Sequence, residues 1–291
     1  MKISLHDSDA TGYPNLALMK LSAFHKAQGD SVAWFDPLFN DADKVYSSKV
    51  FTFSAPDAYL PAMTHKGGTG NDLSVTLPDA IEHAMPDYGL YGIDYSMGFV
   101  TRGCPRKCSY CFVPDKEGDI RANADVFEFL AHKKLVLMDN NILAHQHGIE
   151  QIEKIAKMGV AVDFNQGLDA RLIDDQMARI LSHLKWLAPL RLACDSPAMI
   201  EPVRKAVECL RWHNVTPSRY FCYVLVKSVD EAVEVVRFLK SMNVDPFCQP
   251  FRDPKGTEPT NIQKAFARWA DMKAEYKSST WEDYAKRVKV A

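Results

Sequence analysis

From Tyr95 onward the sequence alternates between two kinds of segment, and this alternation restricts the fold more than any other feature. Short, largely apolar runs recur at residues 95–101, 134–139, 160–165, 190–195, 220–226 and 244–249. Runs of this length, flanked by Gly, Pro, Asn or Asp, read as strands buried on both faces of a parallel sheet. Between them the period changes to that of a helix. Ile149, Ile152, Ile155 and Ala156 share one face, which Gly159 closes; Met177, Ile180, Leu181 and Leu184 share another. Ser196-Pro197 opens a third helix as N-cap and first helical residue, followed by Ile200, Val203, Val207 and Leu210. Ser228-Val229-Asp230-Glu231 has the form of a capping box ahead of Ala232, Val235, Val236 and Leu239. A last helical stretch begins near Thr260. Strand–helix units in tandem from residue 95 to about 277 predict an α/β fold with a partial (β/α)6 TIM-like barrel, which we place at 91–258.

The first 90 residues have a different pattern. A strand at 2–5, a helix at 16–28 ended by Gly29, and strands at 31–36 and 44–53 predict a small Rossmann-like α/β domain over 1–90. The stretch 56–91 is rich in Pro, Gly and Asp and reads as a connection. Residues 256–291 are charged, with lysines recurring through an amphipathic pattern; a helical extension over 259–291, packed on the barrel, is expected.

Composition excludes several classes of function. Lys plus Arg number 35 and Asp plus Glu 37, for a net charge of −2, so the chain as a whole does not bind nucleic acid through charge. The basic stretches 102–107 and 264–289 leave room for a nucleotide or nucleic-acid partner. With 47% hydrophobic and 25% charged residues, the chain is an ordinary folded protein long enough for a sizeable core. No apolar run approaches the roughly 20 residues that cross a bilayer, and residues 1–7 meet charge too early for a signal peptide. A cytoplasmic protein without a membrane partner is expected.

There are 7 cysteines, an odd number that argues against a disulfide framework. Cys104, Cys108 and Cys111 lie together in Thr-Arg-Gly-Cys-Pro-Arg-Lys-Cys-Ser-Tyr-Cys-Phe-Val-Pro, at spacing C-x3-C-x2-C. Thiolates at such intervals on one tight loop converge on a small metal centre. A cubane with three protein thiolates keeps one iron open. The competing reading is a structural zinc loop in a non-enzymatic interaction protein. Zinc, however, wants four protein ligands, usually as two close pairs, and no second Cys-x2-Cys or His-x3-His pair is present. Arg102, Arg106 and Lys107 make the loop polar, which argues against plain buried thiols.

The motif Cys104-x3-Cys108-Ser-Tyr110-Cys111, directly after the first strand of the βα series, resembles the radical S-adenosylmethionine superfamily, over roughly residues 95–252. The resemblance implies a [4Fe–4S] cluster on Cys104, Cys108 and Cys111. It further implies S-adenosyl-L-methionine chelated to the open iron and cleaved reductively to methionine and a 5′-deoxyadenosyl radical, which takes hydrogen from a substrate. A reducing partner such as flavodoxin or ferredoxin would supply the electron. Methyl or methylthio transfer to a nucleotide or RNA is a narrower version of the same reading.

In parallel barrels ligands sit at the C-terminal strand ends, and the resemblance assigns candidate cofactor contacts there. After the second strand, where relatives often carry a Gly-Gly-Glu-like motif for the methionine ammonium, this sequence has Asp139, Asn140 and Asn141; turn formation is the other reading of these residues. After the third, Asn165 and Gln166 could reach the ribose or substrate, and Arg171 the methionine carboxylate through a bidentate contact, unless Asp169 and Arg171 form a surface pair. After the fourth, Asp195 suits the ribose hydroxyls, or an N-cap. Tyr110 would line the adenine. Cys194, Cys222 and Cys248 read as small buried hydrophobes, or one of them as a group facing the substrate; Cys209 reads as packing.

The loop Asp7-Ser-Asp-Ala-Thr-Gly12 is similar to the Asp-x-His-x-x-Gly loop of cobalamin-binding domains that precede the barrel in one branch of the superfamily. Asp9 stands where the cobalt-binding His would be, and Gly67, Gly68 and Gly70 are similar to that domain's later Gly-Gly loop. A truncated, degenerate cobalamin-binding-like domain is expected, without cobalamin; ordinary turn chemistry explains both loops equally.

Overall fold

Ile3, Ser4 and Leu5 are all buried, on both faces of β1 (Lys2–Asp7), because β1 lies inside a sheet. The computed structural model describes residues 1–39, 41–55, 57–252 and 258–290. Asn15 caps α1 (Leu16–Ala27) by accepting from the Leu18 N–H, and Gly29 at φ +81° comes just after its end. β2 (Ser31–Trp34) then pairs parallel on one side of β1, and β3 (Lys44–Ser48) on the other. β4 (His65–Gly67) adds beyond β3, giving the order β2-β1-β3-β4, and α2 (Asp79–Glu82) packs on α1.

The sequence predicts β3 out to residue 53. It ends at Ser48 because Val50 and Phe51 donate their N–H groups to the Asp9 carboxylate (2.6 and 3.3 Å). Strand β4 lies within the stretch expected as a connection. Its sequence, His-Lys-Gly, has no β propensity, and only pairing with β3 makes it a strand.

Leu16 and Met19 of α1 share a hydrophobic cluster with Tyr88 and Met97, which joins the first sheet to the second region of the chain. The Tyr88 hydroxyl accepts from the Met97 N–H (3.2 Å) and donates to the Phe129 carbonyl (2.5 Å).

The second region begins with β5 (Ser96–Gly98), β6 (Thr101–Arg102), α3 (Val113–Glu117) and β7 (Arg121–Ala122). It continues through β8 (Lys134–Leu137), α4 (Gln146–Met158), β9 (Ala161–Phe164), α5 (Asp175–Ser182), β10 (Lys185–Trp186) and β11 (Leu190–Ala193). It closes with α6 (Ile200–Trp212), β12 (Tyr220–Val226), α7 (Val229–Ser241) and β13 (Asp245–Pro250). β5, β8, β9 and β10 form one parallel sheet in that order, and β11, β12 and β13 another. The expected fourth strand, 190–195, is found as β11, and β10 is an additional short strand ahead of it that ends the first of these sheets. Leu187 donates its N–H to the Val162 carbonyl, prolonging the β10 ladder, and Pro189, which has no N–H, precedes the start of β11. The fold is thus mixed α/β with parallel sheets, and in these last two the strands follow one another in chain order.

The first expected strand divides as well. Gly98 makes the last ladder contact, accepting from Met138, and its Cα lies under the Phe129 ring, where a methyl group would stand 2.6 Å from ring carbon. The chain then leaves the sheet, and β6 pairs antiparallel with β7.

One core runs from Val100 to Ala285 and takes in the expected helix faces: Ile152 and Ile155, Met177 and Leu181, Val203, Val207 and Leu210, and Ala232, Val235, Val236 and Leu239. Ser228 does precede α7, but its side chain makes no capping hydrogen bond. Capping boxes form instead at Asp125–Glu128 and Thr260–Gln263.

The C-terminal region is helical but forms three helices rather than one, α8 (Asn261–Asp271), α9 (Lys273–Ser278) and α10 (Trp281–Val288), broken where Met272 and Ser279 are extended. Phe266, Trp269, Trp281 and Tyr284 pack edge to face and tilted into the main core. The Asp271 carboxylate accepts the Cys248 N–H at 2.7 Å, covering a donor on the edge strand β13. Residues 253–257, beside the expected 258/259 boundary, and Ala291 lie outside the described residues, as do Asn40 and Pro56. Among the described residues no helix is long and apolar enough to cross a membrane.

Candidate metal centre at the strand ends

The cysteine loop leaves β6 through Gly103, which adopts φ +81° and lies so close to the opposing chain that a methyl group would sit 2.3 Å from the Asp119 carbonyl oxygen. No residue with a Cβ fits there. Glu117, at the end of α3, holds the turn from the other side. One carboxylate oxygen accepts from the Gly103 N–H (2.8 Å) and from Asn140 Nδ2 (2.9 Å), and the other from Arg102 Nη1 (3.1 Å). Arg102 also stacks on Phe99, 3.5 Å from the ring centre, and donates to Glu82 (2.8 Å). The loop is therefore clamped at its base while Cys104, Cys108 and Cys111 stay partly accessible.

Two donors point at the Cys104 sulfur. The Arg106 N–H lies 3.4 Å from Cys104 Sγ and Asn141 Nδ2 lies 3.6 Å from it. Such donors are what thiolates bound to iron require. Burial raises the Cys111 thiol, and the neighbouring Cys108 and Cys104 raise it further; a bound cation removes that repulsion. Among the described residues, the only group of three ligand-type side chains whose donor atoms all lie within 4.8 Å of one another is Asp175, Cys209 and His213. The cysteine trio is thus more open than the spacing of about 3.8 Å between sulfurs on a single zinc with 2.3 Å bonds. The residues present fit a larger, multi-iron group.

The predicted contact residues all come after strand C-termini, and each is held by the protein itself. Asp139 is 3% exposed and faces the chain before the loop, accepting from the N–H groups of Val100 (3.1 Å) and Thr101 (2.5 Å) and from the Thr101 hydroxyl (2.6 Å). Its carboxylate is committed to holding the loop. Asn140 belongs to the Glu117 clamp. Asn141 is placed best: Nδ2 bridges Cys104 and Asp169 (3.2 Å), and Oδ1 is a buried acceptor with no partner among the described residues.

Arg171 and Asp169 do pair, in a bidentate contact of 2.7 and 3.0 Å. The pair is not a surface ornament. Asp169 also accepts from Arg106 Nε (3.0 Å) and from Asn141, so one carboxylate ties the cysteine loop to the segments after β8 and β9. Burial acts to raise the Asp169 carboxyl, and the Arg171 and Arg106 guanidiniums outweigh it, holding the carboxyl below the usual range. Asp195 does not cap the following helix. It accepts from the Tyr110 hydroxyl (2.9 Å) and from the Leu225 N–H (2.9 Å), joining the loop to β12. Tyr110 in turn carries the Lys227 ammonium 3.7 Å from its ring centre. Asn165 comes after β9, half-buried, its carbonyl 3.5 Å from the Tyr223 hydroxyl; Gln166 is exposed.

Glu117, Asp169 and Lys227 were not among the candidate ligands: acids and lysines carry no sequence signal unless their partners are known. Cys194, Cys222 and Cys248 are buried in the core. Burial pushes the Cys194 thiol up to about 12 and the other two well above the usual thiol range, which makes them poor nucleophiles. At the first sheet, Asp9 accepts from Val50, Phe51 and Ser54, while Gly68 and Gly70 lie against the backbone of Lys49 and Phe51, where a methyl group would stand 2.3 and 2.7 Å from carbonyl oxygens.

Removing the Asp169 side chain should release Arg106, Arg171 and Asn141 together. In Asp169→Ala, alkylation of the loop cysteines by iodoacetamide in metal-free protein is expected to speed up about tenfold, the effect of roughly 1.4 kcal/mol on local opening. Unchanged rates would mean that Asp169 does not restrain the loop.

Neither models of known protein families nor curated proteins match this chain.

Proposed function

We propose that this chain is a radical S-adenosylmethionine enzyme, with its strands from β5 to β13 forming a partial (β/α)6 barrel across the gap between β10 and β11. The observation that carries the reading is the cysteine trio itself: Cys104, Cys108 and Cys111 share one clamped loop over the C-terminal strand ends, with the Arg106 N–H and Asn141 Nδ2 aimed at the Cys104 sulfur. When bound there, a [4Fe–4S] cluster supplies the electron that splits S-adenosyl-L-methionine into methionine and a 5′-deoxyadenosyl radical able to take hydrogen from a substrate.

The protein's part is to hold and orient. Cys104, Cys108 and Cys111 would hold the cluster. The unpartnered Oδ1 of Asn141, next to Cys104, is the acceptor best suited to the methionine ammonium. Arg171, within electrostatic reach of Cys104 and Cys108, would attract the methionine carboxylate by turning part of its fork away from Asp169. Tyr110, fixed between Asp195 and Lys227, offers a ring face for the adenine. Asp9 is committed to the loop at Val50–Ser54, so we propose a mechanism without cobalamin. An electron-donor protein of the flavodoxin or ferredoxin type and a cytoplasmic location complete the proposal; the substrate is a small molecule or nucleotide.

The test is chemical. Anaerobically reconstituted protein should bind about four iron and four sulfide per chain and, given S-adenosylmethionine and dithionite, release 5′-deoxyadenosine, detected by chromatography. Cys108→Ala, run beside it, should release none. Binding of about one zinc at this loop in place of iron would sink the proposal in favour of a structural knuckle.

A further inference from the structure

Two helices outside the cysteine loop bring together a second set of metal-ligating side chains. Cys209 and His213 are four residues apart at the end of α6, so they lie one turn apart on the same face. Asp175, the first residue of α5, meets them across the packed helix pair: His213 Nε2 lies 2.6 Å from Asp175 Oδ1, and the Cys209 sulfur, the imidazole nitrogen and the carboxylate oxygen all lie within 4.8 Å of one another. The side chains differ in exposure, His213 at 16% and Asp175 at 66%, so the group is open to solvent on the Asp175 side. Asp174 adds a second carboxylate within electrostatic reach of Cys209, and Arg179 approaches the other oxygen of Asp175, at 3.4 Å. The group thus gathers a sulfur, a nitrogen and an oxygen donor beside two carboxylates.

We propose that Cys209, His213 and Asp175 bind a divalent zinc ion, with water in the fourth position, and that the ion staples α5 to α6. One thiolate, one imidazole and one carboxylate make a donor set that zinc accepts in tetrahedral geometry, and the thiolate selects against magnesium and calcium. Donor atoms around zinc stand roughly 3.3–3.8 Å apart, so a small rotation of exposed Asp175 brings the present arrangement to that spacing. Binding displaces the thiol proton to solvent, and His213 exchanges its Nε2 proton for one on Nδ1 through solvent, so that the neutral ring coordinates through Nε2 in place of its hydrogen bond to Asp175. The site shares no residue with the cysteine loop, so it stands whether or not that loop holds iron–sulfur.

The experiment is equilibrium dialysis of the reconstituted full-length protein against buffered zinc chloride, with metal counted by mass spectrometry and the ligand set read by zinc X-ray absorption. Wild type is expected to bind about one zinc with a single sulfur neighbour and to gain several degrees in Tm. Cys209→Ser and His213→Gln should each weaken binding at least about tenfold and lose the Tm gain, with iron content and circular dichroism unchanged. Asp175→Asn, which keeps the hydrogen bond to His213, should weaken binding less. Cys104→Ser should keep the zinc. Zinc retained at full affinity in Cys209→Ser, zinc with more than one sulfur neighbour, or no zinc on wild type at micromolar concentration would overturn the proposal.

Discussion

Asp139→Ala is expected to lose about 3 kcal/mol of stability and with it the capacity to hold a cluster, whereas Asp139→Asn should keep both. Alanine strands the N–H groups of Val100 and Thr101 and the Thr101 hydroxyl, which now converge on one buried oxygen. An unpaired buried donor costs about 1–3 kcal/mol, and part of the sum is offset because the carboxylate's own desolvation disappears. Asparagine retains an acceptor oxygen at the same place and removes the charge. The charge matters because burial pushes the Asp139 carboxyl up to about 6, despite the three donors and the Arg102 cation that favour the ionised form. The folded state therefore binds a proton more tightly than the unfolded chain, whose aspartates titrate near 4, and stability falls as pH rises from about 4 to 6, then levels off. Wild type should show that decline and Asp139→Asn much less of it, the gap between them growing by up to about 3 kcal/mol across the window. Burial also pushes Asp271 up to about 6, but it is common to both proteins and cancels in the difference. Urea midpoints at pH 4.5 and 6.5 give the comparison. Equal slopes in the two proteins would mean that Asp139 stays ionised in the fold, and an Asp139→Ala protein as stable as Asp139→Asn would remove its assigned role.

The same residue shows why the sequence disclosed the site's address but not its wiring. Parallel strands buried on both faces are nearly all apolar, so the runs at 134–139, 160–165 and 220–226 were visible, and β12 spans the expected residues. Helix stripes survive for the same reason: Ile152, Val207 and Leu239 are all fully buried. Short elements such as β4 and the β6–β7 pair were not visible, since their strands exist only through long-range pairing. Nor was β10, two residues long and a strand only through its pairing with β9. At the site, the cysteine spacing is local and therefore legible. The partners of Asp139 and Asp195 lie 30 or more residues away, as does Arg106 from Asp169, and a carboxylate that captures a distant N–H has the same local signature as one that waits for a ligand.

Gly103→Ala is expected to empty the cysteine loop while leaving the fold intact. At φ +81° an L-residue is already strained by about 1–2 kcal/mol, and here the added methyl group would also stand 2.3 Å from the Asp119 carbonyl oxygen and 2.7 Å from that of Gly118. Neither oxygen belongs to a flexible side chain, so the backbone must shift. The shift would break the Gly103 N–H bond to Glu117, and with it the clamp that aligns Arg102 and Asn140 with the loop. Iron after reconstitution should fall from about four per chain to below one, with Tm lowered by several degrees and the far-ultraviolet spectrum unchanged. Gly159→Ala provides the control. It has φ +63° at the end of α4 and only the mobile Lys185 ammonium nearby, at 3.3 Å, so it carries the strain without the collision and should lose about 1 kcal/mol but no iron. If both variants lose stability equally and both keep their iron, the close approach at Gly103 does not shape the loop. If Gly103→Ala alone loses iron, the backbone contact with Asp119 is what sets the three thiols in place.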